Sequence, residues 1–176
     1  MKNKFTVRDD GTVEIMLTQG KVALIDEDDM PLVEAHKWYA DKNRRTFYAV
    51  RNAIIGNGKR SLLKMHRVIL GPSAGYECDH VNGDGLDNRR VNLRVCTSLE
   101  NRHNRRPQQQ VTSAYKGVSW DKHAGKWRAR IHINGKLRYL GRFANERDAA
   151  SAYDAVACRH FGEFARPNFG ALSTGS

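Results

Sequence analysis

Asp79, His80, Asn92 and Asn101 follow one another at separations of 1, 12 and 9 positions. Asp79 supplies a carboxylate and Asn101 an amide carbonyl, hard oxygen donors that suit Mg²⁺ better than Zn²⁺. His80 is the one member of the set that exchanges a proton near neutral pH, so it is the natural general base for a water molecule. These types together fit hydrolysis of a phosphodiester with one divalent cation, Mg²⁺ by expectation, with Mn²⁺ as a substitute. Each residue also has a plainer reading. A lone histidine is commonly structural, and Asn82, Asn88 and Asn92 suit ordinary loops. The combination favours the chemistry.

Positioning this set requires a strand–loop–strand–helix unit. Residues 77–81 and 92–95 read as short strands around a loop at 83–90. Thr97-Ser98-Leu99-Glu100 is a capping box opening a helix that carries Asn101. Asp79 and Asn101 are then expected to share one ion, with His80 beside them facing the substrate.

Residues 1–70 read as a β-rich lead-in. Val13 to Leu17 and Lys21 to Ile25 form two strand-like runs around Thr18-Gln19-Gly20. Asp26-Glu27-Asp28-Asp29 reads as a solvated helix start rather than a metal cluster, with a short helix from Pro31 to about Trp38. Thr46 to Arg51 and Ser61 to His66 read as strands around the Gly56-Asn57-Gly58 turn.

The 176 residues carry 30 Lys and Arg against 19 Asp and Glu, a net charge of +11. The excess is concentrated at 101–176, with 14 basic and 5 acidic residues against 16 and 14 before it. That is the footprint of a nucleic-acid binder. Cys78, Cys96 and Cys158 are odd in number and lack CxxC spacing, so reduced thiols are expected; a zinc site with His80 or His103 lacks paired short-spaced ligands. Without a long apolar run or a signal-peptide core at Met1-Lys2-Asn3-Lys4, the expectation is a soluble, cytoplasmic chain without membrane contact.

Pro107 ends the helical pattern, and 107–113 reads as a linker. Residues 114–170 read as three strands and a helix, with Asn134-Gly135 as a hairpin turn. In the run Lys126 to Ile133, Trp127, Ala129, Ile131 and Ile133 fall on one face and Arg128, Arg130 and His132 on the other. A helix capped at Asn145 and rich in alanine can pack closely on the apolar face. The outward face is a basic ribbon of the kind the major groove admits. The tail at 171–176 reads as disordered.

His66-Arg67, Asp79-His80, Asn82-Gly83-Asp84, Asp87-Asn88-Arg89, Asn92-Leu93-Arg94 and Glu100-Asn101 resemble the HNH endonucleases of phages and mobile introns. Tyr115-Lys116-Gly117-Val118, Lys126-Trp127, Leu140-Gly141-Arg142-Phe143 and Ala152-Tyr153-Asp154 resemble the plant Apetala/ethylene-response-factor DNA-binding domain. The pairing resembles the HNH homing endonucleases of bacteriophages. The resemblance implies an α+β chain: the lead-in, a ββα-metal HNH unit at 71–106, then a three-stranded antiparallel sheet packed on one helix.

The resemblance also implies roles. His80 matches the general base, Asp79 the first metal ligand, and Asn92 the asparagine that braces the histidine's loop. Asn101 matches the last letter of the motif and a metal ligand, standing where many members have His; that departure fits the phage nicking subgroup. His66, Arg67 and Arg89 are assigned to DNA. In the second module Lys116, Arg128, Arg130, His132, Tyr139 and Arg142 are the groove-facing candidates, with Lys122 and Arg138 on phosphates. The expected partner is double-stranded DNA, nicked by a monomer needing no other protein. The rival readings are a DNA-binding regulator on a non-catalytic HNH scaffold and a metal-dependent RNase.

Overall fold

A computed structural model describes residues 3–43, 46–104 and 112–170. The chain is α+β, and its strands form small antiparallel sheets divided between two compact units, Met1–Asn101 and Arg102–Ser176.

In the first unit, β1 (Phe5–Val7), β2 (Thr12–Met16) and β3 (Val22–Asp26) form one sheet. Val13 and Ile15 of β2 and Ala23 and Ile25 of β3 are fully buried, the period of two expected of strands with one face on a core. A short α1 (Met30–Val33) leads to β4 (Tyr39–Asn43), β5 (Thr46–Ile55) and β6 (Lys59–Lys64), the second sheet. After α2 (Met65–Leu70), β7 (Glu77–His80) pairs with β8 (Leu93–Cys96), and α3 (Ser98–His103) follows. Leu93 of β8 and Met65 of α2 share one core with Val13, Ile25 and Trp38. The lead-in and the site region, given separate ranges above, therefore pack as one unit.

Three local expectations need correction. The helix expected to reach Trp38 stops at Val33, because the Trp38 indole is fully buried in the core and donates Nε1–H to the Val33 carbonyl at 2.8 Å. The strand expected through His66 ends at Lys64; Met65 and Ile69, four apart, bury one face of α2, and Gly71 closes it at φ +55°. The acidic run is not simply solvated. Asp29 is buried and holds the Arg90 guanidinium at 2.6 Å, while Asp26 Oδ2 accepts the Arg90 backbone N–H at 2.7 Å.

In the second unit, β9 (Val118–Asp121), β10 (Lys126–Ile133) and β11 (Lys136–Phe143) form a sheet in the order β11-β10-β9. Asn134 and Gly135 both have positive φ, as a type I′ hairpin turn demands. The helix α4 (Glu146–Phe161) lays Ala149, Ala150, Tyr153 and Ala157 on Ala129 and Ile131. A Cβ on Gly117 would lie 2.0 Å from the Tyr153 ring, so only glycine fits there. Residues 107–111 of the expected linker and the 171–176 tail lie outside the described residues. No described helix is long and apolar enough to cross a membrane.

Candidate active site

The register of β7 and β8 sets Asp79 opposite Arg94 and His80 opposite Leu93. Strand alternation sends Asp79 and His80 to opposite faces of this hairpin. Arg94 grips Asp79 Oδ2 through Nε at 3.1 Å and Nη2 at 2.7 Å, and both side chains are largely buried. This fixes the plane of the carboxylate.

His80 is buried, and its Nε2 lies 3.4 Å from Asn88 Oδ1. Asn88 donates its own Nδ2–H to the Leu86 carbonyl at 3.0 Å, which identifies Oδ1 as the atom facing the ring. An acceptor at that place selects the tautomer protonated at Nε2 and makes Nδ1 the basic nitrogen. Burial pushes the imidazole below its ordinary pKa; the Asn88 oxygen opposes this, followed by the charges of Asp79, Asp84 and Asp87. The ring is therefore neutral at pH 7, the form a general base needs.

The loop between β7 and β8 is held on all sides. Asn92 Oδ1 accepts the Asn82 N–H at 2.9 Å and Asn92 Nδ2 donates to the Asp87 carbonyl at 2.7 Å, so one side chain ties both arms. Strand β3 pins the far side: Leu24 N–H donates to Leu86 at 2.9 Å, and Asn88 N–H returns to Leu24 at 2.7 Å. A Cβ on Gly85 would lie 2.5 Å from the Phe47 carbonyl, so the loop can seat against β5 only with glycine there. Asn92 thus braces the loop and Asn88 meets the histidine.

Asn101, in the first turns of α3, donates Nδ2–H to Glu77 Oε2, and Ser98 Oγ–H donates to Glu77 Oε1 at 2.5 Å. Glu77 lies two residues before Asp79 in β7, on the same strand face. The capping box forms as expected, with Thr97 N–H on Glu100 Oε2 at 2.7 Å and Glu100 N–H on Thr97 Oγ1 at 3.3 Å. With its nitrogen on Glu77, the Asn101 amide has its oxygen available as a donor atom. A carboxylate and an amide oxygen fit a hard cation that completes its shell with water and phosphate oxygens. Among the described residues no three His, Cys, Asp or Glu side chains converge as a metal cluster. The Cys78 and Cys96 thiols are buried and unbridged, with their pKa raised chiefly by burial, that of Cys96 to about 11.

Beside this hairpin lies a cleft of about 380 Å³ lined by Tyr48, Lys64, His66, Arg67, Glu77 and Asn101, among others. His66 packs edge-on against His80, ring centroids 4.7 Å apart, and Tyr48 packs against both. His66 is buried, Nδ1 has no hydrogen-bond partner among the described residues, and burial followed by the charge of His80 lowers its pKa to about 3. It is a neutral wall of the cleft, not a cation for phosphate. Arg67 is exposed at the cleft rim. Arg89, assigned above to DNA, is clasped by the Asp87 carboxylate at 2.8 Å and 2.9 Å.

On the second unit, Arg128, Arg130 and His132 share the face of β10 that points away from α4. A bulge between Ala129 and Arg130 pairs Arg128 with Arg142 and Arg130 with Tyr139, which places Tyr139 and Arg142 on that face although they are three positions apart. Asp121 moderates the face by binding Arg142 at 3.0 Å and approaching Arg128 at 4.0 Å. Lys122 and Arg138 are exposed. Lys116 is half-buried beside the Tyr153 ring, and burial lowers its pKa to about 8. Glu77, Asn88 and Arg94 were not singled out as functional from the sequence; the position of Glu77 two residues before Asp79 was the available signal.

The HNH endonuclease family matches residues 64–103. An HNH endonuclease of Acanthamoeba polyphaga mimivirus is 31% identical over 157 residues, covering 85% of this chain and 76% of the viral protein. Protein 3.8 of Escherichia phage T7 is 37% identical over 62 residues, 35% of this chain and 51% of that protein. An AP2-like ethylene-responsive transcription factor of Arabidopsis thaliana is 42% identical over 59 residues, 32% of this chain and 17% of that protein. The strand–loop–strand–helix unit with its buried histidine sits inside the matched segment, and the likeness to the mimivirus protein runs through most of both chains. The chain belongs to the HNH endonuclease family. It is an endonuclease, and its substrate is DNA.

Proposed function

We propose that this HNH endonuclease is a divalent-metal-dependent homing-type enzyme of the host cytoplasm that nicks one strand of duplex DNA as a monomer, through a ββα-metal site at 71–106. The observation that carries the reading is the tether of Asn101 to Glu77, which brings the amide of α3 to the strand face that bears Asp79. Asp79 and Asn101 would hold the cation. Mg²⁺, or Mn²⁺ in its place, supplies Lewis-acid stabilisation of charge on the phosphate and leaving oxygen. Arg94 keeps the Asp79 carboxylate in one orientation, and Glu77 does the same for the Asn101 amide. His80 takes the proton of the attacking water at Nδ1 while Asn88 holds Nε2–H. Asn92 keeps the loop closed around the ring. One such site per chain cuts one strand.

The second unit is proposed as an Apetala-type DNA-binding domain at 114–170, supported by the likeness to the plant factor and by the basic face on β10 and β11. Arg128, Arg130, His132, Tyr139 and Arg142 face a groove, and Lys122 and Arg138 meet phosphates. These contacts supply affinity and a steep salt dependence.

The test is relaxation of supercoiled plasmid with Mg²⁺, comparing the wild type with His80→Ala and Asn101→Ala. Open circles from the wild type alone support the reading. Equal relaxation by all three proteins sinks the assigned roles.

A further inference from the structure

Between Asp41 and Glu77 the sequence holds eight Lys and Arg and no Asp or Glu, a segregation hidden by the near-neutral balance of residues 1–100. The β5–β6 hairpin lies at the centre of this stretch. Strand β4 pairs with β5 only from Thr46 to Val50, whereas β6 continues to the pair Ile55 and Lys59. Residues 51–55 and 59–63 therefore run past β4 as a two-stranded ribbon, roughly 17 Å long at about 3.4 Å per residue.

One face of this ribbon is open. The register sets Val50 opposite Lys64, Asn52 opposite Leu62 and Ile54 opposite Arg60, all on the same side. Ile54 is 77% exposed and Leu62 50%. Arg60 on this face and Lys59, which pairs with Ile55 and points to the other side at the ribbon's end, are exposed, and neither they nor Lys64 form an ion pair among the described residues. The face runs directly into the cleft, since Leu62 and Lys64 line it together with Tyr48, His66 and Asn101. A solvated charged surface would account for the cations but not for two large apolar side chains between them. Repulsion between unpaired cations disfavours a second copy of this chain as the occupant. A polyanion with apolar groove edges satisfies both features.

We propose that the β5–β6 ribbon is a second DNA-docking element, separate from the C-terminal unit. It lies along the duplex next to the scissile phosphate, with Arg60 and Lys64 of the open face on backbone phosphates, Lys59 reaching a phosphate from the ribbon's end, and Ile54 and Leu62 against sugars and base edges. The inference rests on the reading of the cleft as the place of cleavage. It explains how the nuclease unit engages duplex on its own account.

The test measures the affinity of the full chain for a random-sequence 40-base-pair duplex in EDTA, by fluorescence anisotropy at several salt concentrations. The wild type is compared with Lys59→Gln/Arg60→Gln, Lys59→Arg and Ile54→Thr/Leu62→Thr. Loss of two phosphate contacts should make the slope of log K against log salt less negative by roughly two, with at least a tenfold loss of affinity near 0.1 M salt. Lys59→Arg should retain the wild-type slope. Ile54→Thr/Leu62→Thr should weaken binding without changing the slope. These exposed positions leave the core intact, which thermal unfolding verifies. A slope and affinity unchanged in the double glutamine variant overturn the proposal. Plasmid nicking by the wild type in Mg²⁺ is measured in parallel: normal nicking with an unchanged slope removes the ribbon alone, whereas absent nicking with a reduced slope removes the cleavage reading and keeps the ribbon as a DNA contact.

Discussion

Asn88 Oδ1 lies 3.4 Å from His80 Nε2 inside the protein, and the asparagine that holds the imidazole is fully buried. The oxygen accepts from Nε2–H in both protonation states and favours the charged one, so it raises the pKa that burial lowers. Replacing Asn88 with alanine removes this acceptor and leaves the Leu86 carbonyl with the Leu24 N–H as its remaining donor.

Two outcomes are expected for Asn88→Ala in single-turnover nicking. The plateau rate falls at least tenfold as the ring loses its orientation, short of the 10²–10⁴-fold loss expected for removal of the base itself in His80→Ala. The acidic limb of the pH profile, which reports deprotonation of His80, moves to lower pH. A limb that moved upward would contradict the hydrogen bond as drawn.

Glu77 accepts the Asn101 amide N–H, and in the proposed site it acts on the cation through that asparagine. Glu77→Ala should weaken Mn²⁺ binding by roughly 10–100-fold, the usual scale for outer partners of metal ligands, as read by electron paramagnetic resonance of free Mn²⁺. Glu77→Gln keeps an acceptor for the Asn101 amide and should recover most of the affinity. Equal losses in both variants would mean that the charge, not the hydrogen bond, matters.

Burial of His66, reinforced by the charge of His80, makes stability depend on pH in a definite direction. His66 has a folded pKa of about 3 against an ordinary value of 6.5. The unfolded chain therefore binds the extra proton between these values, and stability falls as pH drops through that window. The slope is at most about 1.4 kcal/mol per pH unit for one such group. Burial lowers the pKa of His80 as well, so it adds to the slope in the upper part of the window. Above pH 7 neither contributes. His66→Gln should flatten the pH dependence of the urea midpoint between pH 4 and 6; an unchanged slope would mean that His66 is protonated in the folded protein.

How much of this was legible in the sequence depended on the range of the interaction. Asp79-His80, the capping box at Thr97–Glu100 and the alternation along β10 are local patterns, and each reads directly from neighbours. Asn88 and Asn92 look alike as loop asparagines; only the docking of the loop on Leu24 and the return of β8 separates the residue that meets His80 from the one that ties the arms. Arg89 is assigned to DNA and Arg90 to no role, yet Asp87 takes the first and Asp29, far upstream, takes the second. The end of β6 at Lys64 was illegible because Leu62 and Lys64 keep a strand's alternation up to Met65, where burial at positions four apart takes over.

The bulge in β11 is the device that gathers the basic face, and Gly141 carries it. Its φ of +136° is closed to side-chain-bearing residues without strain, and a Cβ there would also meet the Phe143 ring at 3.2 Å. In a regular strand Tyr139 and Arg142 would point to opposite sides; the extra residue at Leu140 brings them together, with Arg142 stacked 5.9 Å from the Tyr139 ring. Gly141→Val should therefore act in two ways. It should destabilise the unit by roughly 1–3 kcal/mol, the usual scale of such backbone strain. It should also weaken duplex binding at temperatures where the protein is still folded, because relief of the strain removes the bulge and turns Tyr139 or Arg142 away from the face. Calorimetry gives the first effect and anisotropy at 15 °C the second. Loss of stability with undiminished binding would show that the two side chains need not share a face to engage DNA.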